Sequence, residues 1–89
     1  MENAYIEFLI HSGLKQYSAA GNKSTVYSYA SAVKRVLRCE GLTWDISPEK
    51  IGALVQMYGP GGEKEEEGRK SNNTVYSALL WYQKFARSR

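Results

Sequence analysis

Hydrophobic positions along the chain recur with helical rather than strand spacing. The stretch Ser24 to Glu40 is the clearest case: Val26, Tyr29, Ala30, Val33, Val36 and Leu37 follow the i, i+3, i+4, i+7 rule of a single helix face. Ser24 is a good N-cap, and Gly41 is a good stop just past the end. Tyr5, Ile6, Leu9, Ile10 and Leu14 line one side of an earlier helix over 2–16, which Gly13 could shorten. Ser47-Pro48-Glu49 combines an N-cap, a proline at the first helical position and an acid in the first turn, so a third helix starts there. Ile51, Leu54, Val55 and Tyr58 carry it over 48–58, and Gly59-Pro60-Gly61-Gly62 ends it. The fourth helix is expected over 72–87, capped by Ser71, with Val75, Ala78, Leu79, Tyr82 and Phe85 or Ala86 as its inner stripe. Trp81, Tyr76, Gln83 and Lys84 fall away from that stripe.

No stretch alternates convincingly as a strand, and no repeat of fixed period is present. The predicted fold is an all-α bundle of four helices in one domain, 1–89. Val33, Leu37, Leu54, Leu79 and Tyr82 should be buried together, with Tyr29 a core member and Trp44 plugging the core beside Leu42 and Ile46. Glu63 to Gly68 reads as a short, solvated acidic loop.

Composition narrows the class. With 43% apolar residues, seven Tyr and two Trp, the chain should fold rather than stay disordered. One Cys, Cys39, cannot form an internal disulfide and has too few companions for a metal site, so the chain suits a reducing cytosol and no metal or other cofactor is expected. No apolar run reaches the ~18 residues that span a membrane. The opening MENAYIEF carries acids where a signal peptide would carry positive charge. His11 has no acid or nucleophile placed to work with it, and the Gly-rich turn at 59–62 lacks the Lys-Ser/Thr of a phosphate loop. No enzyme chemistry and no small-molecule substrate are therefore expected.

Charge changes the picture more by its placement than by its net value of +3. Four basic residues and no acid occupy Lys23 to Cys39; five basic residues and no acid occupy Gly68 to Arg89. All nine acids lie outside those two stretches, which hold nine of the twelve basic residues. If the second and fourth helices are neighbours, they present one positive face with Tyr27, Ser28, Ser31, Asn72, Asn73, Ser77 and Gln83 as hydrogen-bonding groups. Such a face suits phosphates and groove edges of nucleic acid.

The order of these features resembles the N-terminal core-binding (SAM-like) domain of phage integrases and other tyrosine recombinases. The likeness rests on Phe8-Leu9 in the first helix, on Lys23-Ser24-Thr25 with Tyr29, Val33 and Arg35-Val36-Leu37 in the second, on the Ser-Pro-Glu-Lys-Ile start of the third, and on Ser71 to Phe85, SNNTVYSALLWYQKF. In that family the second helix typically opens Ser-x-x-Thr, and the fourth reads roughly Thr-x-Asn-x-x-Leu-Ser-Ala-Leu-Arg-x-Phe-Tyr. The likeness covers about residues 4 to 87. It implies one half of a clamp on duplex DNA, closed from the other side by a C-terminal catalytic domain of a larger parent protein. It implies second-helix contacts from Lys23, Thr25, Lys34 and Arg38, and fourth-helix contacts from Lys70, Asn72, Asn73, Ser77, Lys84 and Arg87. The family's catalytic Arg/His/Tyr set has no counterpart here. The acidic stretch Glu63 to Glu67 should then point away from DNA. The competing expectation is a helical protein-interaction or accessory domain, fused to a nuclease or other enzyme, in which exposed Trp81 and Tyr76 anchor a partner and the basic residues form its rim.

Overall fold

The computed structural model describes residues 2–14 and 25–88, the side chains of Ser71 and Asn72 excepted. It is all-α, as expected. The helices are α1 Glu2–His11, α2 Thr25–Glu40, α3 Pro48–Tyr58 and α4 Glu65–Arg87. The predicted cap Ser24 and the contact residue Lys23 lie outside the described residues.

Both of the first two helices end in the same way. Gly41 takes a left-handed φ of 70°, its N–H bonds to the Arg38 carbonyl, and the Leu42 N–H reaches back to the Leu37 carbonyl at 2.8 Å. This glycine stop satisfies carbonyls that the helix itself leaves open. Gly13 repeats the pattern, with the Leu14 N–H on the Leu9 carbonyl, and so α1 ends at His11 rather than running to residue 16. α3 matches its expected bounds, and the Lys50 N–H donates to the Ser47 hydroxyl at 3.3 Å.

The fourth helix differs most from expectation. The supposed acidic loop is the start of α4, whose first turn holds Glu65, Glu66 and Glu67. Carboxylates are stabilised at that end by the helix dipole. Glu65 also accepts the Gly61 N–H at 3.2 Å, and it pairs with Arg69 one turn later. Ser71 is therefore not a cap; it lies inside the helix. The expected start is instead marked by Asn73, whose φ of 69° is left-handed within α4. Asparagine tolerates that conformation better than other side chains with a Cβ.

α3 and α4 form a tight antiparallel hairpin across the 59–64 turn. Gly68, buried, sits directly against α3: a Cβ there would lie 1.9 Å from the Tyr58 carbonyl oxygen. α2 crosses α4 in antiparallel sense. Its last residue, Glu40, bonds Lys64 before α4 begins; Ala32 and Arg35 lie beside Thr74 and Val75; Tyr29 lies beside Ser77 and Trp81.

The core holds Val33, Leu37, Leu54, Leu79 and Tyr82 together, as predicted. Tyr5 and Leu9 of α1 join it, fully buried. Tyr29 is half-buried and packs on its edge. Trp44 does plug the core: its ring lies 5.7 Å from Tyr5 and 5.3 Å from Tyr82, and its carbonyl accepts the Tyr82 hydroxyl at 2.6 Å. The Tyr5 hydroxyl donates to the Ala78 carbonyl at 2.8 Å. No buried side-chain polar atom among the described residues lacks a partner.

Two substitutions test this packing. Val33→Asp places an unpaired charge at a site with no exposure and should cost several kcal/mol, read as a large drop in urea midpoint. Gly68→Ala has the opposite propensity effect, since alanine favours a helix interior by roughly 1 kcal/mol over glycine. The Tyr58 carbonyl allows no room for the added methyl, so the variant should nevertheless melt below wild type. A rise in melting temperature would mean that the α3–α4 approach is looser than described.

Candidate nucleic-acid interface

The outward side of α2 is built from residues left over after the core takes Val26, Ala30, Val33 and Leu37. Ser28, Ser31, Lys34, Arg35, Arg38 and Cys39 are exposed there. Ser31, Lys34 and Arg38 follow one row of the helix surface, and Ser28 and Arg35 the adjoining one. Lys34, Arg35 and Arg38 make no ion pair among the described residues.

Two shallow grooves run between α2 and α4. The first is lined by Tyr27, Ser28, Ser31 and Arg35 of α2 and by Thr74 and Val75 of α4, with Ala32 as part of its floor. The second brings Tyr29 next to Ser77, Leu80, Trp81, Lys84 and Arg87, with Gln83 at its edge. Neither contains a carboxylate. Grooves elsewhere do: one beside α3 holds Glu49, one above Tyr58 holds Glu65, and one at the start of α4 is lined by Glu63 and Glu65–Glu67.

The expected contact residues fall into five groups. Ser77, Lys84 and Arg87 meet in the second groove. Lys34 and Arg38 are exposed on α2 but line neither groove. Thr25 is half-buried at the first residue of α2. Lys70 and Asn73 lie toward the acidic end of α4: Lys70 pairs with Glu67 at 3.1 Å, while Asn73 is exposed beside Glu65 and Arg69. Asn72 belongs to α4 with its side chain undescribed, and Lys23 is outside the described residues. Arg35, absent from the expected set, is the cation that enters the first groove. Its position was readable as an i, i+4, i+8 row with Tyr27 and Ser31.

The aromatic anchors of the competing reading are engaged within the fold. Trp81 meets the Phe8 ring edge-on at 6.2 Å, and the Lys84 Nζ sits 4.5 Å from its ring centroid. Tyr76 is half-buried, its ring placed where a Cβ on Gly59 would touch it.

Glu40, the acid that ends α2, is tied away from the basic residues. Its carboxylate accepts from Lys64 Nζ and from the Tyr58 hydroxyl, the latter at 3.0 Å. The Lys64 bond, then the Tyr58 bond, holds the Glu40 carboxyl below its ordinary pKa. Burial, reinforced by Glu40, pushes the Tyr58 phenol up to about 12.

Among the described residues no helix is long and apolar enough to cross a membrane, and no group of three or more His, Cys, Asp and Glu could hold a metal ion. No family model matches the chain, and no curated protein or solved structure matches it.

The Glu40 cluster has a pH signature. A lowered folded pKa means that Glu40 contributes stability above its ordinary value of 4.5, and that this contribution is lost as pH falls through the folded value. The stability gap between wild type and Glu40→Gln should therefore narrow steadily below about pH 4.5 in urea titrations. On the alkaline side the sign reverses. Tyr58 is raised, so its contribution persists past pH 10 and fades as pH approaches about 12, a limb that Tyr58→Phe should lack.

Proposed function

We propose that this domain is a DNA-binding module of the recombinase core-binding type, gripping one side of a duplex through the outward face of α2 and the C-terminal half of α4. It would serve DNA integration or recombination as a half-clamp, with the catalytic domain of a larger protein closing the other side. The observation that carries this reading is the partition of charge. The two grooves at the α2–α4 junction contain Arg35, Lys84 and Arg87 and no carboxylate, while Lys64, Arg69 and Lys70 are each matched to an acid at the other end of α4. Cations without internal partners are the ones free to displace counterions from a phosphate backbone.

Length also fits the partner. Helix rise places Arg38 roughly 14 Å along α2 from Tyr29, which is level with Lys84, so the cations spread over about four base pairs rather than crowding one phosphate. Lys70 drops out of the contact set as an independent cation, because Glu67 offsets it. The protein-interaction alternative draws less support, since Trp81 is held between Phe8 and Lys84.

The test is salt dependence. Arg38→Ala combined with Lys84→Ala removes two exposed cations and leaves the core untouched. Thermal stability should stay near wild type, and the slope of log affinity for duplex DNA against log salt should fall by about two. Lys70→Ala should change the slope by less than either single variant. An unchanged slope in the double variant would remove α2 and α4 as the DNA face.

A further inference from the structure

The groove around Arg35 shares the absence of a carboxylate with the groove around Lys84 and Arg87, but it sets two serines beside a single arginine. Arg35 brings a guanidinium, Ser28 and Ser31 bring hydroxyls, and no carboxylate lines the groove. Arg69, by contrast, lines the groove above Tyr58 with Glu65 already bound to it. The serines are also notable for what they do not do. Serines often turn back to a carbonyl on the preceding helical turn, as Ser12, just past α1, does to Phe8 and Ser88, just past α4, does to Phe85. Neither Ser28 nor Ser31 makes a hydrogen bond among the described residues. Two hydroxyls and a planar fork of donors thus line one groove together with buried Ala32 and Val75. A ligand that accepts at every oxygen and carries negative charge satisfies all of them at once, and a phosphate does so with bidentate geometry on the arginine.

We infer that this groove is a subsite for a single backbone phosphate, held by the Arg35 guanidinium with the Ser28 and Ser31 hydroxyls. It rests on the half-clamp reading in naming duplex DNA as the carrier of that phosphate; the anion chemistry of the groove stands on its own residues. The subsite fixes register. Lys34 and Arg38, on the adjoining row, act as unstructured point charges, whereas Arg35 requires one phosphate at one place between α2 and α4.

Arginine geometry, rather than charge, is therefore what an experiment must isolate. Wild type, Arg35→Lys, Ser31→Ala and Lys34→Ala would be titrated first with inorganic phosphate and then with duplex DNA, following amide and arginine side-chain NMR signals. All three positions are exposed, so the fold should be retained, which the unperturbed spectrum checks. Phosphate should move the signals of Ser28, Ser31, Arg35 and Val75 in wild type. Arg35→Lys keeps the charge but loses the fork, and should weaken phosphate binding about tenfold; Ser31→Ala should weaken it less. Lys34→Ala should leave phosphate binding unchanged and reduce only the DNA salt slope. The inference is overturned if Arg35→Lys binds phosphate and DNA like wild type, or if phosphate shifts spread evenly over Lys34, Arg38 and Lys84. DNA binding that persists in that case leaves the half-clamp standing without the subsite. Phosphate binding at Arg35 with no response to DNA would overturn the half-clamp and the backbone phosphate as ligand together.

Discussion

Two buried phenols hold the domain in one arrangement. Tyr5 reaches from α1 to the Ala78 carbonyl of α4, and Tyr82 reaches from α4 to the Trp44 carbonyl in the 41–47 loop. Burying either hydroxyl without its partner would cost about 1–3 kcal/mol, so each ring can enter the core in only one register. The rings reinforce the choice. Tyr5 lies 5.5 Å from Tyr82 and 5.8 Å from Phe85 in edge-on arrangements, each worth about 0.5–1.5 kcal/mol beyond burial. α1 has ten residues, too few to be stable as an isolated helix, and these contacts are what order it. Because Ala78 is the point of attachment, the register of α1 on α4 also decides where Lys84 and Arg87, two turns further on, leave the core.

The same geometry separates charge along α4. Its first turn carries three glutamates, two of which face their own cations: Glu65 takes Arg69 and Glu67 takes Lys70, while just before α4 Glu40 of α2 takes Lys64. The exposed Lys70–Glu67 pair contributes little to stability. The larger effect of the pairs is on the field outside the protein, where each matched pair cancels. A net charge of +3 then understates the positive character of the α2–α4 junction, because three of the nine acids that lower the total are paired with cations at the opposite end. The antiparallel crossing of α2 and α4 makes this partition useful. It sets the unpaired Arg35 against Thr74 and Val75, past the paired segment, and it sets Tyr29 against Lys84.

Helices with one clear apolar face were legible in the residues. α2 and α3 appear within one residue of their expected bounds because stripe and stop agree in both, and α3 has its Ser47 cap as well. α4 was misread at its start for a physical reason. Four acids within Glu63 to Glu67 and a glycine at Gly68 look like a solvated turn, since nothing in the sequence announces that Gly68 must be bare to pass Tyr58. The dipole preference of Glu65–Glu67 was the available clue. The reading of Ser71 as a cap sensed a real discontinuity, the left-handed Asn73, but gave it the wrong form. For the site, segregation of charge was visible from the sequence alone. Which cation enters a groove was not: Arg35 and Lys34 are neighbours in sequence, and only the crossing of α2 over α4 distinguishes them.

If the domain is the half-clamp proposed above, the number of its unpaired cations limits what it can do alone. Lys34, Arg35, Arg38, Lys84 and Arg87 are the five described on α2 and α4 without an acid partner. If each neutralises one phosphate, log affinity falls with log salt at a slope of about −4.5, which is roughly a 500-fold loss between 50 and 200 mM. An interface that steep and built from one face has little left at physiological salt beyond non-specific affinity, on the order of 10⁻⁴ to 10⁻⁶ M. A second binding element on the same polypeptide changes that arithmetic without adding a contact here, because a tether turns the second encounter into an intramolecular one at millimolar effective concentration. Under the half-clamp proposal, weak, salt-sensitive binding by the isolated domain is thus what the arrangement requires. A partner half would then be able to open and close without trapping the protein on every stretch of duplex it met.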